Sequence, residues 1–127
     1  QVEEAIIDID RAISDAATTV PLKARTLVAV AGTATTVAAA ALNLDAYDRY
    51  SIHLSRIPAT KVHEVSSRFL RMNRDEIASL GYMHPGRVDV IAAGALVLDR
   101  IMIATGASEF VASESDILDG IAWSLAE

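Results

Sequence analysis

Val2, Ala5, Ile6, Ile9 and Ile13 recur every three or four positions while Glu3, Glu4, Asp8, Asp10 and Arg11 fall opposite them, which predicts an amphipathic helix over residues 2–17. Thr18 to Pro21 end it. Leu27, Val28, Ala29, Val30 and Ala31 then form a continuous apolar run, Gly32 breaks it, and the alanine-rich stretch from Thr33 to Leu42 favours helix. The order is strand, tight turn, helix. A strand apolar at every position is expected to be buried on both faces, in a parallel sheet with helices on either side. Tyr50, Ile52 and Leu54 alternate with Ser51, His53 and Ser55, predicting a short half-exposed strand.

From about Ala59, the residues Val62, Val65, Phe69, Leu70 and Met72 mark another helix. Asn73-Arg74-Asp75-Glu76 has the form of a capping box ahead of Ile77 and Leu80, and Gly81 is placed to end that short helix. His84-Pro85-Gly86 is a turn by composition. Residues 88–104 are apolar on nearly every side except Asp89, Asp99 and Arg100, so this helix is expected to be the most buried. Residues 109–113 read as a second parallel strand, and residues 113–116 as the start of a helix carrying Ile117, Leu118, Ile121, Trp123 and Leu125. No internal repeat or linker interrupts the series.

Composition narrows the class. The chain has 127 residues, 52% of them hydrophobic and 22% charged, and no cysteine. One compact domain over residues 1–127 is the expectation, and a disulfide framework or a thiolate zinc site is excluded. A net charge of −6 argues against duplex nucleic acid as partner, because counterion release needs a basic face. The acids concentrate in residues 1–20 and 109–127, leaving the middle of the chain locally basic and able to meet an anion. Residues 26–44 are uncharged and just long enough to span a bilayer, but Gly32, Asn43 and four threonines fit a strand and helix better, so no membrane partner is expected. No cationic leader opens the chain, which points to a cytoplasmic protein, and Gln1 in place of Met suggests a fragment.

Two segments carry candidate chemistry. Within Val30-Ala31-Gly32-Thr33-Ala34-Thr35-Thr36, a small-residue turn into a helix aims backbone amides outward where the helix dipole favours an anion; Thr33, Thr35 and Thr36 could add hydroxyl donors. A plain capped turn explains the same residues, and neither a Walker loop nor a dinucleotide fingerprint is present. In Pro85-Gly86-Arg87-Val88-Asp89, a carboxylate in a first helical turn would complement the dipole, and Arg87 beside it could grip phosphate or carboxylate. His53, His63 and His84 lack metal-ligand spacing and mark no triad, so each reads as a surface or core histidine. Arg68, Arg71 and Arg74 fit a solvated helical face, and Trp123 fits a core anchor.

Taken in order, Val-Ala-Gly-Thr-Ala-Thr-Thr at 30–36, Tyr47, Ile52-His53-Leu54-Ser55, the segment from Pro85 to Ile91, Gly94, and Ser113 through Gly120 resemble the C-terminal part of the exopolyphosphatase and guanosine pentaphosphate phosphohydrolase (Ppx/GppA) family. The resemblance implies an α/β, helix-rich fold: a partial second lobe of an actin-like ATPase (ribonuclease H-like) architecture, with a short, mostly parallel sheet flanked by helices. It implies hydrolysis of terminal phosphate from polyphosphate or guanosine pentaphosphate, with Mg²⁺, by the full-length protein. By the same resemblance Gly32, Thr33, Thr35 and Thr36 form the loop facing the cleft, Arg87 approaches the substrate, and Asp89 holds local geometry.

Ala31 stands where family members often have glycine, and Leu118 where many have arginine. The family's glycine-rich phosphate loops and its catalytic glutamate have no counterpart in residues 1–31, so this chain alone is expected to hold no catalytic residue, to bind no metal and to be inactive. Two alternatives stand beside phosphatase function. One is a catalytically inactive nucleotide-sensing or dimerisation domain of the same family; the other is an actin-fold kinase fragment. A strand edge left open would favour a homodimer, or a first helix folded over that edge.

Overall fold

The computed structural model describes residues 1–126. Along the chain lie α1 (Val2–Ala17), β1 (Val28–Val30), α2 (Ala31–Ala41), α3 (Arg49–Ile52), β2 (Arg56–Pro58), α4 (Ala59–Arg71), α5 (Arg74–Ala78), a 3-10 turn at Pro85–Arg87, α6 (Ile91–Thr105), β3 (Glu109–Ser113) and α7 (Ile117–Ala126). The three strands form one sheet in the order β1-β3-β2. β1 runs parallel to β3 with Val28 opposite Val111, and β2 runs antiparallel with Ile57 opposite Phe110. The sheet is therefore mixed rather than mostly parallel.

The core lies between this sheet and α2, α4 and α6. Phe69, Phe110, Ile52, Ile57, Ile91, Val37 and Val62 are fully buried in it. Every residue of α2 from Ala34 to Ala40 is buried, so α2, and not the 88–104 segment, is the most enclosed helix. Its alanines leave no long side chain to hold neighbours away, which lets α4, α6 and β3 all close on it. On α6, Val97 and Ile103 remain exposed, and its buried Asp99 meets His63 of α4 at 3.1 Å. α1 packs against α6 and is fastened by Arg100, which grips Asp10 through two hydrogen bonds of 2.8 and 2.6 Å. It does not bury the outer strand: Val28 and Val30 stay 54% and 49% exposed. The both-faces burial expected of β1 fails because helices cover only one side of that short strand.

Several local expectations change for identifiable reasons. Residues 50–52 are helical, because Asp48 caps α3 by accepting from the Tyr50 amide at 3.0 Å and the Ser51 hydroxyl at 2.7 Å. Leu54, at φ 62°, then turns the chain, and the Leu54 amide donates to Ala112 of β3 before β2 begins. The Asn73–Glu76 capping box forms with both reciprocal bonds, at 2.9 and 2.8 Å. Its helix ends at Ser79, not Gly81. Gly81 is required instead by close approach, since a Cβ there would strike the Asp45 carbonyl. α6 begins at Ile91, after Asp89, and ends on Gly106 at φ 67°.

Arg68, Arg71 and Arg74 do not share one solvated face: Arg68 donates to the Tyr82 hydroxyl at 3.1 Å, and Arg74 begins α5. α7 buries none of its residues; Trp123, expected as a core anchor, is 76% exposed. No helix among the described residues is long and apolar enough to cross a membrane.

Candidate functional site

The short β1 delivers the chain to Ala31, which adopts φ 68° and swings the backbone directly into α2. The anticipated turn is thus compressed into one left-handed residue, and Gly32 belongs to the helix. No side chain caps this N-terminus. The amides of the first turn keep their donors free, and the helix dipole adds partial positive charge around them.

Arg87 occupies the space directly above Gly32. A Cβ on Gly32 would coincide with the guanidinium, so only glycine admits it there. The arginine arrives from the Pro85–Arg87 turn, more than fifty residues downstream. Among the described residues it makes no ion pair, whereas Asp89 is held at 2.8 Å by Arg74. Asp89 therefore does not sit in the first turn of α6, contrary to the sequence expectation, and its partner is Arg74 rather than Arg87.

A cation set against the positive end of a helix, with no carboxylate between them, is an unfavourable arrangement that an anion would relieve. Around this point opens a cleft of about 440 Å³ lined by Gly32, Thr35, Thr36, Tyr47, Tyr82 and Arg87, among others. Of the hydroxyl residues, Thr35 and Thr36 face it, while Thr33 turns away and packs against Gly94 on α6, where an added Cβ would lie 2.8 Å from the threonine. The Thr35 hydroxyl is directed at the Ala31 and Gly32 carbonyls, at 3.4 and 3.3 Å.

Three contributors were not apparent as site residues in the sequence. Tyr47 forms one wall and donates its hydroxyl to Glu114. Burial, reinforced by Glu114, raises the phenol above its ordinary value; Thr35 and Arg87 oppose the shift, and the hydroxyl stays a donor. Tyr82 is buried beneath the cleft, and burial likewise raises its phenol, against the pull of Arg68. His84 lines the rim. Their place at the cleft was not legible locally, because each reaches it from a loop whose path only the packed helices define. His53, the third histidine, accepts the Glu114 amide at 3.1 Å and so holds the loop behind Tyr47.

The donor set does not suit a protein-held Mg²⁺. No group of three histidine, aspartate or glutamate side chains converges among the described residues, and Glu114, the acid near the cleft, is already engaged by Tyr47.

The chain matches the family model for the Ppx/GppA phosphatase family over residues 2–126. It belongs to that family. It is 49% identical over 113 residues to exopolyphosphatase 2 of Mycobacterium tuberculosis, a match spanning 85% of this chain and 35% of the relative. The crystal structure of an exopolyphosphatase-like protein superposes with a TM-score of 0.93 at 37% identity, covering 96% of this chain and 41% of that one. A Ppx/GppA protein from Aquifex aeolicus shares the fold at a TM-score of 0.87 and 20% identity, over 98% of this chain and 40% of that one. The chain thus spans about a third of the curated relative it matches at 49% identity.

Proposed function

We propose that this chain is the C-terminal part of an exopolyphosphatase or guanosine pentaphosphate phosphatase, a partial second lobe of an actin-like architecture that supplies phosphate contacts while the rest of such a protein supplies the chemistry. One observation carries this reading: the unpaired Arg87 guanidinium lies over Gly32 at the uncapped start of α2. The first-turn amides and Arg87 would grip phosphate oxygens, with Thr36 and Tyr47 shaping the wall. Asp89 supports the turn through Arg74. Catalysis and Mg²⁺ binding are assigned outside this chain, which alone is inactive.

The test is Mg²⁺-dependent phosphate release from polyphosphate and from guanosine pentaphosphate by the full two-lobed protein, wild type against Arg87→Ala. Loss of a charge-assisted contact predicts a drop of roughly 10- to 150-fold in kcat/KM. Unchanged kinetics would remove Arg87 from the substrate site.

A second reading, an inactive nucleotide-sensing or dimerisation domain, is favoured by Ala31 in a left-handed conformation and by Leu118, 70% exposed at the position where the family resemblance leads one to expect arginine. Calorimetry with guanosine tetraphosphate and polyphosphate, run beside turnover assays, separates the two: binding without hydrolysis selects the sensor. The open β1 edge and the apolar α7 support homodimer formation by the chain in isolation. A monomer in sedimentation at high concentration would count against it.

A further inference from the structure

We propose that His84 is a positioning residue for Arg87: its neutral imidazole fastens the turn that lays the guanidinium over Gly32, so presentation of the cation depends on His84 remaining unprotonated. This rests on the anion-site reading above for its consequence in binding, and on geometry for the latch itself.

Two amides of the Pro85–Arg87 turn end on His84. The Arg87 amide donates to the His84 carbonyl at 2.9 Å, and the Gly86 amide donates to His84 Nδ1 at 3.0 Å. Proline has no amide to offer. The ring is seated against Gly86: a Cβ there would lie 3.2 Å from Nδ1 and 3.4 Å from Cε1, so glycine at this position admits the imidazole.

Asparagine, aspartate, serine or threonine ordinarily serves as such a cap, with an oxygen that accepts at neutral pH. Histidine accepts only while Nδ1 carries its lone pair, which places the ring proton on Nε2. Protonation fills that lone pair and sets two N–H donors face to face. The imidazole is exposed, so protons reach it freely. The titratable and charged groups lining the cleft with it are Tyr47, Tyr82 and Arg87, with Glu114 held behind Tyr47. No carboxylate among the described residues pairs with His84 to hold an imidazolium in place.

The rival expectation is opposite in sign. An imidazolium at the rim could itself attract an anion, in which case acid would strengthen binding.

The experiment uses sulfate as probe, because its charge is constant between pH 5.5 and 8, and follows two signals by NMR on the whole chain. One is the Gly86 amide, recorded without ligand; the other is sulfate affinity. In the wild type the Gly86 amide should lose exchange protection on acidification and sulfate affinity should fall roughly three- to tenfold. His84→Asn, whose side-chain oxygen accepts the same amide but does not titrate, should retain the affinity seen at pH 8 and abolish both pH effects. His84→Leu should show the weakened state at every pH.

A Gly86 transition that the asparagine variant removes, with no sulfate binding at any pH, would support the latch while refuting the anion site. A Gly86 amide indifferent to pH, or affinity that rises in acid and ceases to rise in His84→Asn, would overturn the proposal.

Discussion

Gly32→Ala isolates the arrangement on which the functional reading turns. Gly32 is the second residue of α2, and its φ is not in the left-handed region, so the backbone accepts alanine without strain. Replacing glycine within a helix stabilises by about 0.5–1 kcal/mol. The new Cβ, however, would occupy the place of the Arg87 guanidinium, which must withdraw until carbon contacts of about 3.5 Å are restored. The displaced group is the end of a flexible, only partly buried side chain, so its packing loss is small and offsets the helical gain. Unfolding in urea should therefore change by less than about 1 kcal/mol in either direction. Binding should not be spared. Removing a charge-assisted hydrogen bond costs about 1.5–3 kcal/mol, which weakens pyrophosphate binding roughly 10- to 150-fold in calorimetry. The same loss is expected of Arg87→Ala, and the double variant should lose no more than either single one, because both delete one contact. Additive losses, or undiminished affinity in Gly32→Ala, would refute the argument that Arg87 and the start of α2 act as a unit.

Other consequences are simpler to measure. Ala31 holds φ 68°, which disfavours an L side chain by about 1–2 kcal/mol, while glycine loses part of that gain in unfolded-chain entropy; Ala31→Gly should raise stability by about 0.5 kcal/mol in chemical denaturation. Phe110 is fully buried at the centre of the sheet, so Phe110→Ala should cost about 3–5 kcal/mol and abolish cooperative unfolding at elevated temperature. The Ser51 hydroxyl, followed by the Tyr50 amide, holds the Asp48 carboxyl below its ordinary value of 3.8. Its contribution to α3 is therefore complete above that pH and is lost as pH falls through the depressed value. The exchange protection of the Tyr50 and Ser51 amides, relative to their unstructured rates, should fall in acid, and Asp48→Asn should remove that dependence.

Much of the architecture is legible in residue order. The stripe of Val2, Ile6, Ile9 and Ile13 places α1, the Asn73–Glu76 box forms both of its bonds, and the apolar run through Val30 becomes a strand leading into a helix. Each depends on neighbours a few positions apart, whose geometry the backbone repeats reliably. Residues 50–55 mislead because two-residue alternation and a capped single turn can be written with the same side chains; the Asp48 cap decides between them. Burial misleads more. Trp123 and β1 have core-like composition, yet the packing of this chain leaves them open, since covering a face requires a partner element that no local pattern specifies.

The residues of the candidate site divide in the same way. Sequence alone marks Gly32, the threonines and Arg87 as polar or permissive groups at turns, and it supplies the family resemblance. It cannot state that Arg87 lies on Gly32, that Asp89 answers to Arg74, that Thr33 faces α6, or that Tyr47 closes the wall. Those pairings join segments tens of residues apart, and the side chains meet only after α2, α4 and α6 close on the sheet. Local order determines which elements form; the packed helices decide which of their side chains share a cleft, because proximity across the core is a property of the assembled layers and not of any stretch of chain.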